Sequence, residues 1–194
     1  MSRPKVLQRK FYDRSAGIVA RELLGKILVR RWGKHTIAGM IVETESYGGK
    51  DDPASHAYKK RTPRNKVMFG PAGHAYVYFC YGNHYLFNVV ADKENVPAAV
   101  LIRALEPLEG LGLMKKNRGT GDIGNLTNGP GKLAQALGID KRFNTIPLFR
   151  GDLKILDTGH SKIKIAKAGR IGITLGADKL FRFYIKDNPY VSKI

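Results

Sequence analysis

The chain has 194 residues, of which 43% are hydrophobic and 26% charged, a composition typical of one soluble globular domain spanning residues 1–194. Lys and Arg outnumber Asp and Glu by 34 to 16, and the resulting net charge of +18 favours a polyanionic partner over a charge kept only for solubility. One cysteine and the lack of any apolar run of about 20 residues argue against a disulfide framework and a membrane span, and they predict an intracellular protein.

The predicted elements alternate mainly between short strands. In chain order we predict a helix at 15–24, strands at 26–32 and 36–47, a polar loop at 48–64, strands at 75–81, 84–90 and 98–103, a helix at 107–116, a mobile glycine-rich segment at 118–127, a helix at 130–137, and strands at 171–174 and 181–185. Because hairpins outnumber strand-helix-strand units, the pattern indicates an α+β fold with a mainly antiparallel sheet.

The end of the strand at 36–47 carries two carboxylates. Alternation along a strand places Glu43, Glu45 and Tyr47 on one face. Two carboxylates this close repel unless one is protonated or paired, and Arg103, at the end of an apolar strand, is a candidate partner for either glutamate. The motif therefore predicts either a water-activating base or a solvent-facing strand edge with an ordinary salt bridge.

The second candidate is an aromatic hairpin, in which five of the ten residues at 76–85 are Tyr or Phe. Gly82 followed by Asn83 predicts a two-residue type II′ turn, which would pair Tyr78 with residue 87 and place Tyr78 and Asn88 on opposite faces. An aromatic side chain at the tip, such as Tyr81, is a candidate wedge into a base stack, and one deeper in the strand is a candidate base-stacking platform. A packed sheet would explain the same residues equally well.

Basic residues supply two candidate phosphate contacts. Lys132 lies in the first turn of a helix with a glycine-rich start, and Arg64 ends a basic loop. A helix cap and a solvated loop are the ordinary alternatives. The five histidines show no metal-ligand spacing, and only His56, near two aspartates, is a weak candidate for a divalent ion, so we predict neither a metal nor a cofactor.

Several motifs in one order resemble the alkyladenine (3-methyladenine) DNA glycosylases, the methylpurine glycosylases of base-excision repair. The resemblance runs from about Leu23 to Ser192 and is weak over 114–128 and 138–168. The most specific motifs are IVETESY at 41–47, TPRN at 62–65, YVYFCYG at 76–82, RALEPLEG at 103–110, and RFY at 182–184 followed by PYVS at 189–192.

The resemblance implies a role for each matching residue. Glu45 matches the general base, and Arg103 and a backbone carbonyl at Ile171 match the groups that hold the attacking water. The base pocket and the wedge match a second set of residues: Tyr47 and Tyr78 as stacking walls, His56 at the base edge, Asn88 as the residue that screens purine substituents, and Tyr81 as the intercalating residue. The implied fold is one α+β domain around a curved antiparallel sheet with a protruding hairpin.

The expected function is therefore that of a monofunctional hydrolase acting as a monomer in the cytoplasm and nucleoid, or in a nucleus. It would flip an alkylated or deaminated purine out of double-stranded DNA and cleave the N-glycosidic bond, leaving an abasic site. Two other classes remain open. A non-catalytic nucleic-acid-binding protein would use the same basic and aromatic residues without needing Glu45, and a nucleic-acid-modifying transferase would need a second pocket for its donor.

Overall fold

Nine strands form one antiparallel sheet in the computed structural model, which describes residues 4–80, 82–159 and 163–192. The strands are β1 (Lys5–Val6), β2 (Ile27–Trp32), β3 (His35–Tyr47), β4 (Ala75–Cys80), β5 (His84–Val90), β6 (Ala99–Glu109), β7 (Leu153–Asp157), β8 (Ile165–Ala168) and β9 (Arg182–Ile185). The α-helices are α1 (Arg9–Tyr12), α2 (Ala16–Leu23), α3 (Leu111–Arg118) and α4 (Pro130–Ala136). Short 3₁₀ helices lie at Lys66–Phe69, Ile123–Asn125 and Lys141–Phe143. The predicted α+β class is confirmed.

The long strand β3 is the centre of this sheet. The main strand order is β1-β7-β2-β3-β6-β5-β4, and β9 also pairs with β3. β2 pairs with the first half of β3, β9 pairs with its second half at residues 43–45, and β6 follows its other edge. The apolar stripe of α2, which includes Val19 and Leu23, packs on β3 and β6 and contributes to the main core.

Two irregularities in the β3–β6 ladder fall where the charged residues lie. Glu43 pairs with Ala104 and Thr44 with Ile102, which leaves Arg103 as an extra residue on β6. A bulge of this kind bends a strand and re-aims a side chain. Continuing the regular register would place Arg103 opposite Glu43, and in the bulged strand Arg103 contacts both Glu43 and Glu45.

The β4–β5 hairpin has a register that differs from the predicted one. Cys80 pairs with His84 and Tyr78 with Leu86, whereas the predicted two-residue turn would pair Tyr78 with Phe87, so that turn is wrong. The observed register pairs Val77 with Phe87, both buried in the core. A shift of one residue would have moved this apolar face away from the core, and its burial therefore decides the register.

The outer half of this hairpin leaves the sheet. β5 pairs with β6 over residues 88–90, while the part nearer the tip continues with β4. Helix α4 packs against β5, and a Cβ atom at Gly131 would lie 2.8 Å from the His84 ring, so only a glycine allows this close approach. The separation of β5 from β6 opens the space in which the candidate site lies.

Two of the other predicted elements differ from the structure, and the mobility predicted for 118–127 stays a prediction. Residues 107–109 extend β6, and the predicted helix begins only at Leu111. The segment 171–174 is irregular, and the strand in that region is β8. The segment 118–127 is anchored at its end, where Thr127 is buried and its hydroxyl donates to the Leu105 carbonyl. Within the described ranges, no helix has the length and apolarity needed to cross a membrane.

Candidate active site

A cavity of about 310 Å³ lies between the β4–β5 hairpin, the end of β3 and the loop that follows β8. Its volume is at the lower end of the range for small-molecule sites. Most of its walls are apolar or aromatic, with a few polar groups. Six of the ten predicted site residues line it: Tyr47, His56, Tyr78, Asn88, Arg103 and Ile171.

Glu45 lies directly behind this wall, with no exposed surface. Its Oε1 atom accepts a hydrogen bond of 2.8 Å from the Ile171 amide, and its Oε2 atom accepts one of 2.8 Å from the Tyr47 hydroxyl. Arg103 Nη1 is 3.3 Å from the same Oε2 atom. All three donor residues also line the cavity, so the carboxylate is separated from it by its own hydrogen-bond partners.

Glu43 is equally buried but is held by different groups. Its Oε1 atom accepts a hydrogen bond of 3.0 Å from Arg182, and its Oε2 atom accepts one of 2.9 Å from the Ser192 amide. Arg103 Nε lies 3.4 Å from Glu43 Oε1. Arg103 therefore pairs with both glutamates, and the alternative of a solvent-facing strand edge is wrong.

Two tyrosine side chains, Tyr47 and Tyr78, contribute to the lining. Arg170 lies over the Tyr47 ring, with its guanidinium carbon 4.7 Å from the centroid, and Arg64 lies over the Tyr78 ring at 4.8 Å. Burial, followed by the charge of Glu45, raises the pKa of Tyr47, and burial is also the largest cause of the raised pKa of Tyr78. Both side chains are therefore neutral phenols that can stack on a flat ligand.

The hydroxyl and backbone of Tyr76, which the sequence analysis did not single out, organise the polar edge of the cavity. The Tyr76 hydroxyl is 2.9 Å from His56 Nδ1. The Tyr76 backbone carbonyl accepts a hydrogen bond of 3.1 Å from the side-chain amide nitrogen, Nδ2, of Asn88. Tyr76 and Asn88 are cross-strand partners, so Tyr78 and Asn88 share a face without a bulge in the hairpin. Burial, assisted by Arg64, lowers the pKa of His56, which is therefore a neutral imidazole near pH 7.

A buried ion pair that the sequence analysis missed supports the Tyr47 side of the site. Arg170 contacts both carboxylate oxygens of Asp52, at 2.6 and 2.7 Å, and also donates to the Ser46 carbonyl. Asp52 is thus engaged by an arginine, and the weak prediction of an ion site with His56 is wrong. Across the described ranges, no group of three His, Cys, Asp or Glu side chains could hold a metal ion.

Arg64 and Lys132, the two predicted phosphate-contacting residues, make different contacts in the structure. Arg64 is exposed beside Tyr78 and donates to the Phe79 carbonyl. Lys132 Nζ donates to Asn125 and Asn128, so part of its hydrogen-bonding capacity holds the chain ahead of α4. Position 81 lies outside the described residues, and the role of Tyr81 stays a prediction, as do those of Arg64 and Lys132.

Comparison with known proteins identifies a matching family. A model of the family described as methylpurine-DNA glycosylase matches residues 10–189. A relative from Carboxydothermus hydrogenoformans is 48% identical, over 97% of this chain and 99% of its own length. One from Prosthecochloris aestuarii is 50% identical, over 95% and 90%, and one from Methanoculleus marisnigri is 48% identical, over 96% and 98%. All three are named as 3-methyladenine DNA glycosylases.

Proposed function

The chain belongs to the methylpurine-DNA glycosylase family, and we propose that it is a monofunctional glycosylase in which Glu45 activates the water that cleaves the N-glycosidic bond. It is a hydrolase of DNA repair and acts on DNA. Our proposal extends this to one catalytic domain over residues 1–194, to action as a monomer inside the cell, and to alkylated or deaminated purines as the excised bases. The observation that carries it is the buried Glu45 carboxylate, whose three donors all line a cavity with tyrosine walls.

The dimensions and walls of the cavity support extrusion of the target base from the duplex. A base inside a duplex cannot reach a pocket of about 310 Å³ that lies behind a hairpin. Flipping it out costs a few kcal/mol and costs least for a damaged or mispaired base, so damage itself contributes to selection. In the proposal, the extruded purine lies between Tyr47 and Tyr78, and Tyr81 at the hairpin tip fills the vacated space.

The charges behind the cavity support a hydrolytic step. The proposal places a water between Glu45 and the sugar C1′, with Arg103 and the backbone at Ile171 as its other neighbours. The water oxygen bonds to C1′, its proton passes to Glu45, and the electron pair of the C1′–N bond leaves with the base. General-base catalysis of this kind contributes roughly 10²–10⁴-fold to the rate.

The composition of the cavity wall supports monofunctional chemistry. An enzyme that also nicks the strand needs a lysine or another amine that can attack C1′. No lysine of the described segments lines the cavity. A positively charged alkylated purine is already a good leaving group, and stacking on a tyrosine would add roughly 0.5–2 kcal/mol of cation–π attraction.

Excision from a methylated duplex tests the proposal. We expect the wild-type protein to release free methylated purine and to leave a backbone that breaks only after alkali or heat. Glu45→Gln should bind the lesion duplex with similar affinity yet lose excision by roughly 10²-fold or more. Strand cleavage without alkali would contradict the monofunctional mechanism, and near-normal turnover of Glu45→Gln would remove Glu45 from the role.

A further inference from the structure

Tyr47 contacts the candidate site with both parts of its side chain. Its ring lines the cavity, while its hydroxyl, at the far end of that ring, donates a hydrogen bond of 2.8 Å to Glu45 Oε2. The two residues are two positions apart on β3, which places them on the same face of the strand. A residue that only stacked on a base would need the ring and not the hydroxyl.

We propose that the Tyr47 hydroxyl is a positioning group for Glu45, holding the carboxylate in one orientation through its hydrogen bond to Oε2 while the ring of the same residue packs on the base. This inference rests on the proposed role of Glu45 as general base. A base that stacks on the ring and the group that activates the water are then placed by one rigid side chain, which fixes the distance between them.

The other donors to Glu45 cannot replace this hydroxyl. The Ile171 amide bonds to the other carboxylate oxygen, Oε1. Arg103 does approach Oε2, but at the longer distance of 3.3 Å, and it is shared with Glu43. Loss of the hydroxyl would therefore leave a fully buried carboxylate oxygen with one long ion-pair contact. Hydrogen bonds to a charged group that is buried in this way are among the stronger ones in proteins.

The electrostatic surroundings of Glu45 otherwise stay constant when this hydroxyl is removed. Charged and titratable groups approach it from its own strand, from β4, β6 and β9, and from the loop after β8. They are Tyr47 and Glu43 on β3, Tyr78 on β4, Arg103 on β6, Arg182 on β9 and Arg170 ahead of Ile171. None of these groups except Tyr47 is altered by Tyr47→Phe, which keeps the ring.

The pH dependence of the excision rate separates positioning from simple structural support. A donor to the ionised carboxylate favours that form over the protonated one. We therefore expect Tyr47→Phe to move the acid limb of the single-turnover rate to higher pH by about one unit, since one lost charge-assisted hydrogen bond is of that order. The rate at the acid end would fall about tenfold, and the rates on the plateau would converge.

The measurement uses a duplex with one N7-methylated guanine and saturating enzyme from pH 4 to 8. The N1–H group of this base titrates near neutral pH, so the variants are compared on the acid limb, where the base is a cation throughout. Tyr78→Phe is the matched control because it removes the hydroxyl of the other wall, which makes no hydrogen bond to Glu45. Whatever Tyr78→Phe does to lesion affinity or to the plateau rate, the midpoint pH of its acid limb should equal that of the wild type.

Each outcome bears on one of the two proposals. An unmoved acid limb in Tyr47→Phe, or an equal loss of rate at every pH, would overturn the positioning role. The positioning role would be supported if Tyr47→Phe binds the lesion duplex within about twofold of the wild-type affinity and the acid limb of its excision rate lies at higher pH. Near-normal excision by Glu45→Gln in the same measurements would instead contradict the general-base proposal, whatever the result for Tyr47→Phe.

Discussion

Glu43 and Glu45 have the same side chain, lie two positions apart on one strand and have no exposed surface, yet their surroundings differ. Glu43 accepts hydrogen bonds from Arg182 and from the Ser192 amide, neither of which lines the cavity, and it shares Arg103 with Glu45 at a longer distance of 3.4 Å. Glu45 is held by Tyr47, Ile171 and Arg103, and all three line it.

Burial and charge do not by themselves distinguish these two carboxylates. Both glutamates satisfy the rule that a buried charge needs partners. The distinction is whether those partners face space that a substrate can fill. The hydrogen-bond donors of Glu43 are interior groups and those of Glu45 form a cavity wall, and on this ground we propose the catalytic role for Glu45 and not for Glu43.

The largest expected effect compares excision by the two Gln variants. Per folded molecule, Glu45→Gln should be slower than Glu43→Gln by roughly 100-fold or more, because only Glu45 is proposed to accept the proton. Single-turnover excision of a methylated purine, with lesion-duplex binding measured in parallel, provides the comparison. Equal losses in the two variants would erase the distinction between the carboxylates.

Stability should show the reverse order. Glu43→Gln removes the charge from between two buried arginines and should lower the free energy of unfolding by about 3 kcal/mol. Glu45→Gln should cost about 1 kcal/mol or less, because catalytic groups are commonly held at the expense of stability. Urea denaturation monitored by circular dichroism measures both. A larger loss of unfolding free energy in Glu45→Gln than in Glu43→Gln would contradict the structural role given to Glu43.

The smallest effect concerns Asp52, a third buried carboxylate of the structural kind. Burial acts to raise its pKa, but hydrogen bonds from Arg170 and the Gly48 amide outweigh this, and the pKa lies below its ordinary value of 3.8. A carboxyl with a lowered folded pKa stabilises the protein above its unfolded pKa, and this contribution disappears as the pH falls through the folded value. The difference in free energy of unfolding between wild type and Asp52→Asn should therefore decrease as the pH is lowered.

Denaturation at a series of pH values between 7 and 2.5 checks this expectation. Asp140→Asn is the control, because Arg142 also lowers the pKa of Asp140 but in an exposed pair, where solvent screens the interaction. The difference in free energy of unfolding between wild type and Asp140→Asn should be smaller, at every pH, than the difference between wild type and Asp52→Asn. If the difference in free energy of unfolding between wild type and Asp52→Asn stays constant down to the lowest pH, then ionisation of Asp52 does not stabilise the fold.

Local patterns predicted the elements well and the connections between them less well. The helix at 15–24 and the strands at 26–32, 36–47 and 84–90 were placed to within one residue of α2, β2, β3 and β5. The hairpin register was wrong because Gly82 and Asn83 are compatible with more than one loop length. Burial of Val77 against Phe87, a long-range requirement, decides between them.

The candidate site divides in the same way. Glu45 and Tyr47 were predicted to share a face because alternation along one strand is a local property. Arg170 was missed because its partner, Asp52, lies 118 positions away, and nothing in the sequence around either residue signals the pair. Tyr76 was missed as an organiser because strand alternation does not reveal which tyrosine hydroxyl reaches a histidine.

The amino-acid sequence by itself determined the α+β class, the basic character of the protein, the resemblance to a glycosylase family and the residue types available for chemistry, since these depend on composition and on neighbours along the chain. Only the tertiary structure decided that one glutamate is enclosed by interior donors and the other by a cavity wall. That difference arises from the hairpin register and from groups more than 100 positions away in the chain, and such contacts form only when the whole sheet is assembled.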